Sequence, residues 1–500
     1  MSTLTALAKL RAEQAGRAQP VTTVRHTHIA ERPFVLIPLK LAGEACAPLA
    51  AMAGTDRDQP HLLVVPQPRN RTQRFRFTEQ LGALLLPYLD SCREQTETYT
   101  AARGKETRER YADAPQILLP NPGGLAFTRL LGRSTRLRRT TGEHAVDPAV
   151  PLLGNWLTWA CDQSEFPGSS LLLSMTGLLT AHWATGQSSS EDGNLAAALG
   201  WIDPPTGLTG PEAALLAEDP GEHPPAGPAT DPVFDRLLVE LIAAYDAAGA
   251  TDDEQRQAAA VRALESDLRT QLQPTWRDMW HGIDLLRDLP AGRTVADRWA
   301  YDRTAFTLRS QYIAEGGAPQ PRRDHAAGAA RRLARLEDAV ARYQTDRAFD
   351  DPLVMAEYEL DGAAFAGQVV ARDAERMVQG PKRAVFRPLI TLRTETRPRT
   401  GDGKDVRSPA RTGQKAVIID IREAEDGFDV DLELSGGLGK QKPPALPGAV
   451  PELGEELLYT VLGGHFTTAA VPDDTDVPWT HGGPREGYQP TDDDAKEVWE

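Results

Sequence analysis

Between residues 20 and 130, short apolar runs alternate with stretches of helical spacing. TTVRHTHI (22–29) alternates polar and apolar positions, while PFVLIPLKL (33–41), HLLVVP (61–66) and QILLP (116–120) are compact β-branched runs bounded by Pro, Gly or Asp. Such runs predict strands. In the intervening TEQLGALLLPYLDSCREQTETY, Thr78 is a helix cap and Leu81, Leu84, Leu85 and Tyr88 share one face. Strands separated by a helix predict a small mixed sheet.

From about residue 150 the period becomes helical. GNWLTWACDQSEFPGSSLLLSMTGLLTAHWATG reads as two apolar helices broken at Pro167-Gly168. GQSSSEDGN and LAEDPGEHPPAGPATDP are too polar and too rich in Gly and Pro to bury, so 209–231 reads as a disordered acidic loop. Residues 232–378 predict four or five helices packed on one another as a bundle. Pro274 starts one of them and Pro290 ends it, with Trp276, Met279, Trp280, Ile283 and Leu286 on one face. Thr294 caps the next, which carries Trp299, Phe306 and Ile313 and stops at Gly316. Ala329, Leu333, Leu336, Val340 and Tyr343 predict a seam on a third.

After residue 384 the period is two. Phe386, Ile390 and Leu392 face opposite to Val385, Arg387, Leu389, Thr391 and Arg393. Val417, Ile419 and Ile421 precede an Asp426-Gly427 turn, and Phe428, Val430, Leu432 and Leu434 follow it. With ELLYTVL, this predicts a small antiparallel barrel of four or five strands, OB-like or SH3-like. The fold class is thus α+β and multidomain: mixed α/β over 1–150, helical over 151–380, a barrel over 381–470, and an acidic disordered tail over 471–500.

Composition adds constraints rather than a fold. The 40% apolar and 25% charged content suits a soluble globular chain, and 500 residues exceed one core. Arg outnumbers Lys 46 to 9, the bias of a GC-rich bacterial genome, so Arg alone is weak evidence for a site. The start of the chain lacks a signal-peptide core and no segment has the length of a membrane span, which predicts a cytoplasmic protein with no membrane partner. Cys46, Cys92 and Cys161 are scattered and predict buried thiols.

Charge is unevenly laid out. Residues 1–150 hold 21 Lys and Arg against 14 Asp and Glu, whereas 151–250 hold 1 against 13. No cation occurs between Arg139 and Arg236. A second basic island, net +7, spans 382–415 within a chain of net charge −16. In the first island, TRLLGRSTRLRR supplies Arg129, Arg133, Arg136, Arg138 and Arg139, and RNRTQRFRF supplies Arg69, Arg71, Arg74 and Arg76 interleaved with Phe75 and Phe77. Guanidinium groups neutralise phosphates and rings stack on bases, so the pairing predicts a DNA or RNA surface. The plainer alternative is an amphipathic strand with a solvated Arg face. The second island, with Arg397, Arg399, Lys404, Arg407 and Arg411, falls in a Gly/Pro-rich loop of the barrel.

Catalytic and cofactor signatures are weak. His26 and His28 read as satisfied surface histidines without a ligand set. SGGLGKQK has Leu434 and Gln441 where a phosphate loop needs Gly and Ser or Thr, and reads as a strand end. Asp429, Asp431 and Glu433 share one strand face, a pattern that could hold a metal but lacks a following E-x-K lysine. Most tryptophans of the helical half read as core, while Trp156 and Trp159, flanked by polar residues, could form a partner-docking edge. The reading is a non-catalytic accessory protein without cofactor or metal, contacting nucleic acid beside a processing enzyme. Its rivals are a scaffold whose basic islands dock acidic segments and a divergent metal-dependent nuclease.

Overall fold

The computed structural model describes residues 2–100, 106–463, 470, 471 and 473–477. The chain is mixed α+β, with twelve α-helices among the described residues. Its N-terminal sheet has five strands in the order His61–Val64, Pro48–Gly54, Phe34–Lys40, Ile117–Leu119, Leu172–Ser174. The first two pairings are antiparallel and the last two parallel. Two of these strands escape the sequence pattern. Pro48–Gly54 is PLAAMAG, rich in the helix former Ala yet buried throughout. Leu172–Ser174 lies in the stretch expected to be helical.

Both faces of this sheet are covered, and alternate residues of each strand enter different cores. Val35, Ile37, Leu39, Ala50 and Met52 join one cluster with Leu264, Leu268, Trp276, Met279 and Ile283 of the helix Glu254–Asp288. Phe34, Leu36, Ala51 and Ala53 join the other with Phe77 and Leu85, with Leu153 and Trp156, and with Trp299 and Phe306. The helices after 232 therefore do not stack as a separate bundle: Glu254–Asp288 takes one face of the sheet, while Val295–Ala314 joins the cluster on the other through Trp299 and Phe306. The sheet also crosses the division expected at residue 150. Each fully buried Leu or Phe in these layers contributes about 1.5–3 kcal/mol. The seam expected on the helix Ala326–Asp350 is not its packed face, since Leu333 is 58% and Val340 40% exposed while Ala327, Ala334 and Ala348 are buried.

Residues 209–231 are structured where described, against expectation. Gly210–Ala217 is a helix with a Thr209/Glu212 capping box. Beyond it, Gly227 O accepts from Asn121 Nδ2 (2.7 Å) and Pro228 O accepts from Lys40 N (2.9 Å), fastening the segment to the sheet.

Segment 22–30, expected as a strand, is instead an irregular buried run fixed by polar contacts. His26, expected at the surface, is 1% exposed and lies 3.4 Å from Asp351. Its backbone N–H donates to His182 Nε2 (3.2 Å) and its carbonyl accepts from Arg298 Nη2 (2.8 Å). His28 stacks on Trp299 with ring centroids 4.1 Å apart, and burial lowers its pKa to about 4. Gln116 bonds Ala30 N, His28 O and Ser170 O. A run that cannot form a ladder must satisfy its backbone by side chains, which is what these residues do.

Near the C-terminus six antiparallel strands form a nearly closed barrel-like sheet, in the order Asp405–Val406, Lys415–Ala424, Gly427–Ser435, Leu389–Thr394, Ala364–Asp373, Glu456–Thr460. Arg407 and Thr460 exchange backbone hydrogen bonds of 2.8 and 2.9 Å and bring the two edges together. Phe386, Ile390, Leu392, Val430, Leu432 and Leu434 are buried as the alternation predicts. The preceding strand departs from it: a bulge between Ile418 and Asp420 buries Ile418 and leaves Ile419 43% exposed, because one extra residue reverses the facing. SGGLGKQK follows the strand end at Ser435. Most of the tail expected at 471–500 lies outside the described residues. No helix among the described residues is long and apolar enough to cross a membrane.

Asp302, bonded to Ser169 and Ser170 beside the 22–30 run, provides a test of its polar seam. It is 5% exposed; burial raises its pKa to about 7 although Ser170 N, Ser169 Oγ and Arg298 oppose the shift. The folded state then retains a proton that an unfolded Asp releases near pH 4, so stability falls as pH rises from about 4 to about 7. The melting temperature of the wild type relative to Asp302→Asn is expected to drop between pH 5 and pH 8; an unchanged difference would remove Asp302 from this role.

Candidate nucleic-acid interface

The two segments of the first basic island come from different helices and meet at Phe75. RNRTQRFRF is neither a strand nor a flat alternating surface. Asn70 accepts from Gln73 N (3.1 Å) and starts the helix Arg71–Ser91 there, earlier than the Thr78 start expected. Phe77 turns into the core while Phe75 stays half-buried, with the Arg71 guanidinium 4.6 Å from its ring centroid. The other segment ends the helix Pro122–Thr135, whose N-cap is Asn121. That helix packs tightly on Ala149–Gln163 through Gly132 and Gly154. A Cβ at Gly154 would come within 2.4 Å of Arg136 N, so the crossing requires glycine. The turn after Thr135 brings Arg138 to 5.3 Å from the centroid of the same Phe75 ring.

These arginines do different work. Arg136, 5% exposed, donates from Nε to Gln320 O (2.9 Å), from Nη1 to Arg133 O (2.6 Å) and from Nη2 to Pro321 O (3.1 Å). Arg138, 8% exposed, donates to Ser134 O (2.8 Å). Both satisfy carbonyls at a helix C-terminus, where a cation is favoured by the helix dipole. Arg129 bonds Cys161 O and pairs with Glu165 at 2.8 Å. Arg71 donates to His144 O (3.2 Å), Arg74 is half-buried, and Arg69 pairs with Glu44 at 3.1 Å while remaining largely exposed. Arg76, Arg133 and Arg139 are exposed. Beside Arg139 opens a cavity of about 510 Å³ walled by Arg136, Arg138, Arg139, Thr140, Thr141 and Asn155, among others.

The second island divides in the same way. Arg411 donates to Gly448 O and to Glu455 Oε1, each at 2.7 Å, and Arg407 is held at the barrel closure. Arg397, Arg399 and Lys404 are exposed, and the first two border an open concavity of about 590 Å³.

The remaining candidates resolve into structural roles. Asp429 is bound by Arg393, Asp431 by Arg422 (2.6 Å) and Glu433 by Arg376 (2.8 Å), so the acidic strand face is an ion-pair ladder. Among the described residues no group of three or more His, Cys, Asp or Glu is placed to hold a metal. Trp156 and Trp159 are not a docking edge; they are 3% and 8% exposed and pack edge to face with centroids 5.6 Å apart. The three cysteines are buried, and burial pushes the Cys92 and Cys161 thiols up to about 12. Sequence reasoning missed the cavity beside Arg139 because Pro148, Pro151 and Pro319, which wall it, carry no chemical signal of their own. No family model, curated protein or solved structure matches this chain.

The division of roles is measurable by stability. Arg136→Ala strands three carbonyl acceptors and is expected to cost about 2–4 kcal/mol in urea unfolding, against less than about 0.5 kcal/mol for Arg133→Ala. Equal costs would contradict the assignment.

Proposed function

We propose that the protein is a non-catalytic accessory protein that contacts DNA or RNA through the surface around Phe75, working beside an enzyme that processes the nucleic acid. The observation that carries this reading is the convergence of two basic segments, some sixty residues apart in sequence, on one half-buried aromatic ring. Phosphates would meet Arg69, Arg76, Arg133 and Arg139, which are exposed, while Arg136 and Arg138 hold the turn after Thr135 that leads to Arg139. The barrel-like sheet is read as OB-like, with Arg397, Arg399 and Lys404 lending a second contact to the backbone of a strand. The Arg129–Glu165 pair favours a second reading, a scaffold in which acidic segments dock on the basic islands. The pairing of Asp429, Asp431 and Glu433 with arginine disfavours a nuclease on that strand.

Binding of the full chain to labelled single-stranded DNA, duplex DNA and RNA over a salt series tests the proposal. Affinity is expected to fall steeply with salt, and the triple change Arg76→Glu, Arg133→Glu, Arg139→Glu to weaken binding at least about tenfold and flatten the log-log slope by about 2–3. Absence of binding at low salt, or an unchanged slope in the triple variant, would reject this surface.

A further inference from the structure

We propose that a separate cleft, between the N-terminal helix Thr3–Ala15 and the helix Pro352–Leu360, binds a small organic anion, its carboxylate or phosphate against Arg347 and its ring against Trp183. The cleft holds about 490 Å³, within the range of small-ligand sites. Its walls carry Lys9, Thr180, Trp183, Asp192, Arg347 and Glu357.

Charge accounting singles out Arg347. Lys9 is committed to Asp192 (2.9 Å), which also accepts from Thr185 Oγ1 (2.5 Å) and Gln187 Nε2 (3.2 Å). Glu357 accepts from the Ser2 hydroxyl and, at 3.5 Å, from Thr5. Every carboxylate close to Arg347 along its own chain is engaged elsewhere: Asp346 by Arg298 (3.0 Å), Asp350 by Thr294 (2.5 Å), and Asp351 by Thr23 N (2.7 Å). The Arg347 guanidinium has no hydrogen bond or ion pair among the described residues, and its Nε is buried without a partner. Its only ring contact there is with Tyr343, 5.7 Å from the centroid. A partly desolvated guanidinium with unused donors is costly alone and strongly favours a planar or tetrahedral oxyanion. Trp183, half-buried and packed on the sheet core, supplies a rigid apolar wall. This site is independent of the basic surface around Phe75.

Isothermal titration calorimetry of the full-length protein with phenyl phosphate, benzoate and the neutral benzyl alcohol tests the inference. Both anions are expected to bind at one site, benzyl alcohol at least about tenfold more weakly, and Arg347→Gln to weaken the anions at least about tenfold. Thr180→Phe, which fills the cleft from an exposed position without altering charge, is expected to abolish binding and decides the matter if Arg347→Gln does not fold. No heat from either anion up to about 20 mM, where even an isolated charge-assisted contact registers, or affinity retained in a folded variant, would overturn the site.

Discussion

The architecture depends on burying both faces of one five-stranded sheet. A strand covered on one side can alternate apolar and polar residues; one covered on both sides cannot, and Phe34–Lys40 and Pro48–Gly54 are apolar almost throughout. The small side chains of Ala50, Ala51 and Ala53 leave room for the bulky Trp276, Phe77 and Phe306 in the layers above and below. Chain order then loses its power to predict domains. Helices from residue 71 to residue 314 are drawn to whichever face remains open.

The same constraint creates the polar seam. Chain entering and leaving a doubly covered sheet must pass through low-dielectric surroundings, where unmet backbone groups cost about 1–3 kcal/mol each. His182, Gln116, Arg298 and Asp302 meet those groups. Burial would raise the pKa of Asp351, but the His26 ring 3.4 Å away and hydrogen bonds from Thr23 and Leu353 outweigh it and bring the carboxyl down to about 2.

Legibility followed the same physics. Strands with β-branched residues, the hairpin at Asp426-Gly427 and the tryptophan face of Glu254–Asp288 could be read directly, since their periodicity reports one local environment. The alanine-rich strand and Leu172–Ser174 could not, because their conformation is set by neighbours distant in sequence. Neither could the bulge at Ile419. For the basic island, sequence alone paired two segments that both reach Phe75 but gave all their arginines one role. Burial separates Arg136 and Arg138, which hold helix ends, from Arg76, Arg133 and Arg139, which face solvent. Cations at and just beyond a helix stop, as Arg136 and Arg138 are in RSTRLRR, can reach back to its last carbonyls, which was the available signal for the former.

The proposed nucleic-acid surface is the one around Phe75. Ultraviolet cross-linking of bound single-stranded DNA, with the attached peptides mapped by mass spectrometry, tests it. Adducts are expected within 69–79 and 133–147, centred on Phe75. Adducts confined to the barrel, or to surfaces elsewhere, would contradict it.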